Sequence, residues 1–154
     1  MRLALVGAGM VTSIGFTWPT ACAAIRCSFD RFEDTRFKLE GEWVVGAEVP
    51  LPGSPRGTAK LLTMAVMALD EALEQLPPGR PADTAWVVCL SEPDRPGRAN
   101  DLDSLFIRHL RAQLPDPERL GHSQLLTGVV SPIRGLEWIE QMISSGYASH
   151  GIVT

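Results

Sequence analysis

Apolar positions along this chain follow two periods. Leu3-Ala4-Leu5-Val6 is a continuous apolar run stopped by Gly7-Ala8-Gly9, the pattern of a strand buried on both faces. Trp43 to Val49 is a second strand, ended by Pro50 and the turn-rich segment Pro52-Gly53-Ser54-Pro55. Ala85 to Leu90 and Gln124 to Val130 are two further runs of strand length, and Gly151-Ile152-Val153-Thr154 begins another. Between these runs the apolar residues recur at three and four. Leu62, Ala65, Val66, Leu69, Leu73 and Leu76 form one stripe, with Asp70, Glu71, Glu74 and Gln75 pointing outward. Thr58 is the expected cap of that helix, and Pro77-Pro78-Gly79 its expected stop.

Three more helices carry their own boundary signals. Thr17 offers a cap with Pro19 in the first turn, and Ala21, Ala23, Ala24 and Ile25 carry the helix to about Cys27. Asn100 or Asp101 caps a helix through Leu102, Leu105, Phe106, Ile107 and Leu110, closed near Pro115, after an exposed aperiodic loop from Pro93 to Asn100. Ser131 as cap and Pro132 at the first helical position open a helix through Ile133, Leu136, Ile139, Met142 and Ile143 to Gly146. Strands alternating with helices predict an α/β fold, three layers α/β/α with a mixed, mostly parallel sheet. Nothing repeats at 20–50 residues.

A chain of 154 residues is read as one domain, and with 45% apolar and 21% charged residues it folds without a metal or disulfide staple. The 14 glycines and 12 prolines fall in a few loops, so no segment is of low complexity. A net charge of −4 repels phosphate backbones and argues against nucleic acid as a main partner. The three cysteines, Cys22, Cys27 and Cys89, lack the paired spacing that holds zinc or a redox disulfide. Free, mostly buried thiols in a reducing cytosol are expected, hence a cytoplasmic protein. Arg2, the apolar stretch Leu3 to Phe16 and Ala21-Cys22-Ala23 imitate a secretory signal, but Gly7, Gly9 and Gly15 with Thr12 and Ser13 break any helical core. The stretch is also too short to span a bilayer, so no membrane partner is expected.

Candidate chemistry is sparse. Gly7-Ala8-Gly9-Met10-Val11-Thr12 follows an apolar run, where a dinucleotide pyrophosphate would sit, but the third glycine is missing and Glu48 runs into Val49-Pro50 rather than ending a strand as a ribose-binding acid. A structural glycine turn is the expectation. His109 on a helix, His122 in a loop and His150 near the C-terminus have no partner at i+4, so neither metal nor cofactor is expected. Ser131 sits where a helix dipole would favour a nucleophile, yet Ser-Pro is the ordinary opening of a helix, so capping is its expected role. Of the cysteines, only those near Arg26 have a basic neighbour, and inert core thiols are expected. Arg95 and Arg98 could hold phosphate, but a solvated loop tip is the expected reading.

Two stretches resemble the N-terminal half of β-ketoacyl synthases, in the thiolase-like superfamily. Leu5-Val6-Gly7-Ala8-Gly9-Met10-Val11-Thr12-Ser13-Ile14-Gly15, followed by a short helix with Trp18, is similar to that family's opening strand and loop. Arg134 to Ala148 is similar to the helix behind its active-site nucleophile, and Thr58 to Leu76 to its second long helix. The resemblance implies a thiolase-like half spanning residues 1–154, incomplete at its C-terminus, in fatty-acid or polyketide-type acyl metabolism. It also implies a cysteine about seventeen residues before Gly146, nearly five helical turns. That position is Val129, and neighbouring Val130 is no nucleophile either. The decarboxylating histidines of the family belong to a C-terminal half that these residues do not include. No residue here is therefore assigned as catalytic.

The expected role is association rather than acyl transfer. Partners implied by the resemblance are a second copy, a C-terminal ketosynthase half and an acyl carrier protein. The helix from Pro132 to Ser145 is the expected contact, through Ile133, Leu136, Ile139, Met142 and Ile143 with Trp138 beside them. Two alternatives stay open: an acyl-carrier-protein-dependent acyltransferase completed by a missing half or partner chain, and a nucleotide-binding module.

Overall fold

A computed structural model describes residues 3–77, 82–99 and 102–154, without the side chain of Ser104. Its elements run α1 (Trp18–Arg26), β1 (Glu33–Leu39), β2 (Glu42–Gly46), α2 (Gly57–Glu74), β3 (Thr84–Leu90), α3 (Leu102–Gln113), β4 (Leu120–Thr127), α4 (Ser131–Ser144) and β5 (His150–Val153), with a 3-10 turn at Pro117–Arg119. They form two compact units where composition suggests one: Gly7–Gln75, and Met1–Val6 with Leu76–Thr154. The expected cap residues Asn100 and Asp101, and Pro78 and Gly79 of the expected helix stop, lie outside the described residues.

The larger unit is built on a parallel three-stranded sheet in the order β4-β3-β5. Its central strand reads as a continuous apolar run because both faces are covered: Ala85, Trp86, Val87 and Val88 are all buried. Alternation sends Ala85, Val87 and Cys89 toward α4, where they pack with Ile139, Met142 and Ile143. Trp86 points to the other face, where the guanidinium of Arg111 from α3 lies 5.9 Å from its ring centroid. Its indole N–H donates to the Thr154 hydroxyl at 3.2 Å. The unit is thus helix, sheet, helix, in agreement with the α/β layering expected from the alternation of elements.

Two glycines let α4 approach the sheet. A Cβ on Gly135 would stand 2.9 Å from Val87 Cγ1, and one on Gly151 of β5 would collide with the Ile139 side chain. Glycine inside a helix costs about 1 kcal/mol relative to alanine, so its presence at 135 reflects this close packing.

The smaller unit holds an antiparallel hairpin, β1 with β2, and helices α1 and α2. Glu40 and Gly41 both have positive φ, 52° and 92°, as a two-residue hairpin turn with the right twist requires. Thr17 caps α1 as expected, and Thr20 answers it: the Thr20 amide donates to the Thr17 hydroxyl, and the Thr17 amide donates to the Thr20 hydroxyl.

Several expectations are corrected. Residues 3–6 form no strand, and Leu5 is 89% exposed. A four-residue apolar run becomes a strand only where a neighbouring strand supplies ladder partners, and the sheet of β4, β3 and β5 forms without it. The second expected strand ends at Gly46 rather than Val49 and pairs in the hairpin, outside the parallel sheet. The hydrophobic pattern predicts no strand where β1 lies. Thr58 does not cap α2, because Arg56 already has the extended backbone of a cap and the helix opens at Gly57. His122 lies in β4 rather than a loop.

Candidate functional site

The turn between β4 and α4 is where the family resemblance would put a thiol. Gly128 continues the ladder by donating its amide to Leu90 O at 3.0 Å, then turns with φ +100°, a conformation that favours glycine. Val129 follows at 87% exposure, Val130 occupies the cap position, and the helix opens at Ser131. This is a strand, a tight turn and a helix N-terminus, the geometry that presents one side chain outward.

Ser131 is not the expected cap. It sits one residue inside the helix, only 2% exposed, and its hydroxyl donates to Gly128 O at 2.6 Å. The hydroxyl braces the turn from below, so it neither caps the helix amides nor stands free as a nucleophile. The side chain displayed by the turn is Val129, which has no group able to attack a thioester.

No cysteine is at this turn. Cys22 lies half-buried in α1, Cys89 half-buried in β3 against the α4 core, and Cys27, expected to be buried, is exposed at the end of α1. Cys27 is the residue at which the helix terminates, its amide bonding back to Ala23 O. The histidines are scattered. His109 is exposed on α3, His150 lies in β5, and His122 meets Tyr147, edge to face at 5.9 Å. Among the described residues no three His, Cys, Asp or Glu side chains come together to hold a metal.

The glycine loop is occupied by its own protein. The amide side chain of Gln75 receives the Ala8 N–H at 3.2 Å and donates to Ala8 O at 2.6 Å. Glu71 accepts from the amides of Met10 at 3.0 Å and Trp18 at 2.9 Å. A Cβ on Gly9 would run into the Ala68 carbonyl, so this glycine lets the loop lie flat on α2. Amides that a pyrophosphate would need are thus already engaged, which favours the structural turn. Arg98 also departs from the solvated-tip reading: its side chain is 5% exposed, donates to Ser91 O at 3.2 Å and pairs with Asp103 in the first turn of α3. Arg95 remains in the exposed turn.

The outward side of α4 carries Arg134, Glu137 and Gln141 beside exposed apolar residues. Ile139, Met142, Ile143 and Trp138, expected in the contact face, pack on the sheet instead. The exposed stripe is Ile133 at 63% and Leu136 at 50%, continued by Val129 and Val130. Apolar residues thus lie on both the covered and the exposed side of α4, and residue spacing alone did not resolve the two. Among the described residues no helix is long and apolar enough to cross a membrane.

No protein-family model and no curated protein matches the chain. Among solved structures, the ishigamide ketosynthase/chain length factor shares its fold, with a TM-score of 0.53 and 20% sequence identity. The similarity covers 94% of this chain and 44% of that one, so this chain spans less than half the length of its structural neighbour. The chain therefore has a mixed α/β fold similar to that of this neighbour.

Proposed function

We propose that the chain is a ketosynthase-like domain, equivalent to the N-terminal half of a β-ketoacyl synthase, that serves polyketide-type or fatty-acid-type acyl metabolism by association rather than by acyl transfer. Residues 1–154 then act as one such half, completed by a second copy or by a C-terminal ketosynthase half, with an acyl carrier protein as a further partner. One observation carries the reading: the turn before α4 displays Val129 at 87% exposure where the family resemblance calls for a thiol. The apolar stripe Val129, Val130, Ile133 and Leu136 supports association, since leaving such a surface in water is unfavourable by about 25 cal/mol per Å². Three free cysteines suit a reducing cytosol.

Acylation and mass separate this reading from an acyltransferase completed by a partner. Incubated with malonyl or acyl carrier protein, the chain should gain no acyl mass and release no carbon dioxide. Stoichiometric acylation between Thr127 and Ser131 would overturn the non-catalytic assignment. In sedimentation at micromolar concentration the chain should run above its 16.7 kDa monomer mass, and Leu136→Asp should shift it toward monomer. A stable wild-type monomer without a partner counts against the half-fold.

A further inference from the structure

We infer that the Gly7–Gln75 unit binds a small doubly charged oxyanion, a phosphate or dicarboxylate, in a cavity between β1, the 47–55 segment and the first turn of α2. This inference does not rest on the ketosynthase reading. The cavity has a volume of about 230 Å³, enough for a phosphate group and a short organic stem. Its charged lining is Arg31, Arg36 and Lys60 against Glu33 and Glu48, one positive charge in excess within a chain whose net charge is −4. A fourth cation, Arg56, is close enough to act on the Glu48 carboxylate.

The donors outnumber what the protein offers them. Arg36 Nη2 and Lys60 Nζ both contact the same oxygen, Glu48 Oε1, each at 3.2 Å. A guanidinium carries five N–H donors and an ammonium three, so most of them remain unspent. Among the described residues Arg31 and Arg56 make no side-chain hydrogen bond or ion pair. Hydrogen bonding to Lys60 and the charge of Arg36 hold the Glu48 carboxyl below its ordinary range, as a net positive surrounding would.

The backbone is arranged to bring Arg36 here. The β1–β2 register slips between Asp34 and Lys38, leaving extra residues on β1 opposite Val44. Thr35 fills the broken ladder, its hydroxyl donating to Val44 O at 2.6 Å and accepting from the Phe37 amide at 3.2 Å. A bulge of this kind re-aims a side chain, and here it coincides with Arg36 reaching Glu48. Pro50, Pro55 and the buried Leu51 stiffen the opposite wall, and Ser54 closes a turn onto Leu51 O at 3.1 Å. A purely structural ion pair needs one cation for one carboxylate. Several converging cations around an open cavity instead favour an incoming oxyanion that can accept several charge-assisted bonds at once.

Calorimetric titration at low ionic strength tests this with inorganic phosphate and succinate, with chloride at matched ionic strength as reference. Phosphate or succinate should bind saturably and chloride should not; which of the two binds more tightly tells a tetrahedral from a planar oxyanion. Arg31→Gln, which breaks no contact of its own, should weaken binding about tenfold, the loss of one charge-assisted bond. Glu48→Gln should act in the opposite direction, tightening binding by freeing Arg36 and Lys60. Circular dichroism of each variant verifies that it is folded. Equal responses to phosphate, succinate and chloride would overturn the site, as would an unchanged affinity in Arg31→Gln or a weakened one in folded Glu48→Gln.

Discussion

Trp86 and Trp43 show how differently the two units are held together. Trp86, in the centre of β3, is 0% exposed and sits between the sheet and Arg111 of α3. Trp43, in β2, is 52% exposed, and the ammonium of Lys38 lies 4.1 Å from its ring centroid. One unit is stabilised by burial around a parallel sheet. The other combines a few buried apolar side chains, Leu62, Leu69 and Leu73 among them, with local backbone devices: a two-residue turn, a bulge and the clamps of Glu71 and Gln75. The largest expected effect follows directly: Trp86→Ala should destabilise by about 3–5 kcal/mol, as deletion of a core aromatic does. Trp43→Ala should cost no more than about 1 kcal/mol, the worth of an exposed cation–π contact. Chemical denaturation measures both, and equal losses would erase the distinction.

The same contrast explains what the sequence made legible. Helices α2 and α4 announced themselves because their apolar stripes follow the helical period, and β3 because a strand covered on both faces must be apolar throughout. β1 was invisible, since Glu33, Asp34, Thr35, Arg36 and Lys38 make it mostly polar and the bulge at Thr35 breaks any alternation. The signal that could have found it is Glu40-Gly41, a hairpin turn written without the usual Asn or Asp. Residues 3–6 mislead for the opposite reason: their composition suits a strand, but strand identity depends on a neighbour that sequence does not name. At the candidate site, the family resemblance singles out Val129, about seventeen residues before Gly146, and the structure places it on the turn before α4. The bracing role of Ser131 was hidden because a serine before proline reads equally well as a cap.

Packing across α4 sharpens the comparison further. Gly151→Ala would push a methyl into Ile139, and overpacking of this kind costs about 1–3 kcal/mol. Ile139→Ala removes the colliding side chain, so the double variant should lose less than the sum of its own cavity loss and the Gly151→Ala loss. In the hairpin, by contrast, Gly41 has nothing within 4 Å of a built Cβ, and only its φ of 92° resists substitution. Gly41→Ala should therefore cost about 1 kcal/mol, with no rescue available from any neighbour. Thermal unfolding of Gly41→Ala, Gly151→Ala, Ile139→Ala and the Gly151→Ala, Ile139→Ala double variant distinguishes steric from conformational strain.

The smallest effect is in pH dependence, where the two units carry opposite signs. Glu48 in the smaller unit is held below its ordinary value of 4.5, chiefly by its hydrogen bond to Lys60 and by Arg36. A folded value below the unfolded one stabilises the fold at pH above 4.5, and this contribution disappears as pH falls through the lowered value. Asp116 in the larger unit is pushed above 3.8, first by desolvation and then by the neighbouring Glu118 carboxylate. Its sign is reversed: the contribution is present below 3.8 and is lost as pH rises through the raised value. Glu48→Gln should consequently lower stability at neutral pH and converge on wild type in acid. Asp116→Asn should match or exceed wild type at neutral pH and lose that advantage as pH drops toward 3.8. Denaturation midpoints of both variants from pH 3 to pH 7 give the two difference curves, and curves of the same sign would mean that the charges around Glu48 do not stabilise its ionised form.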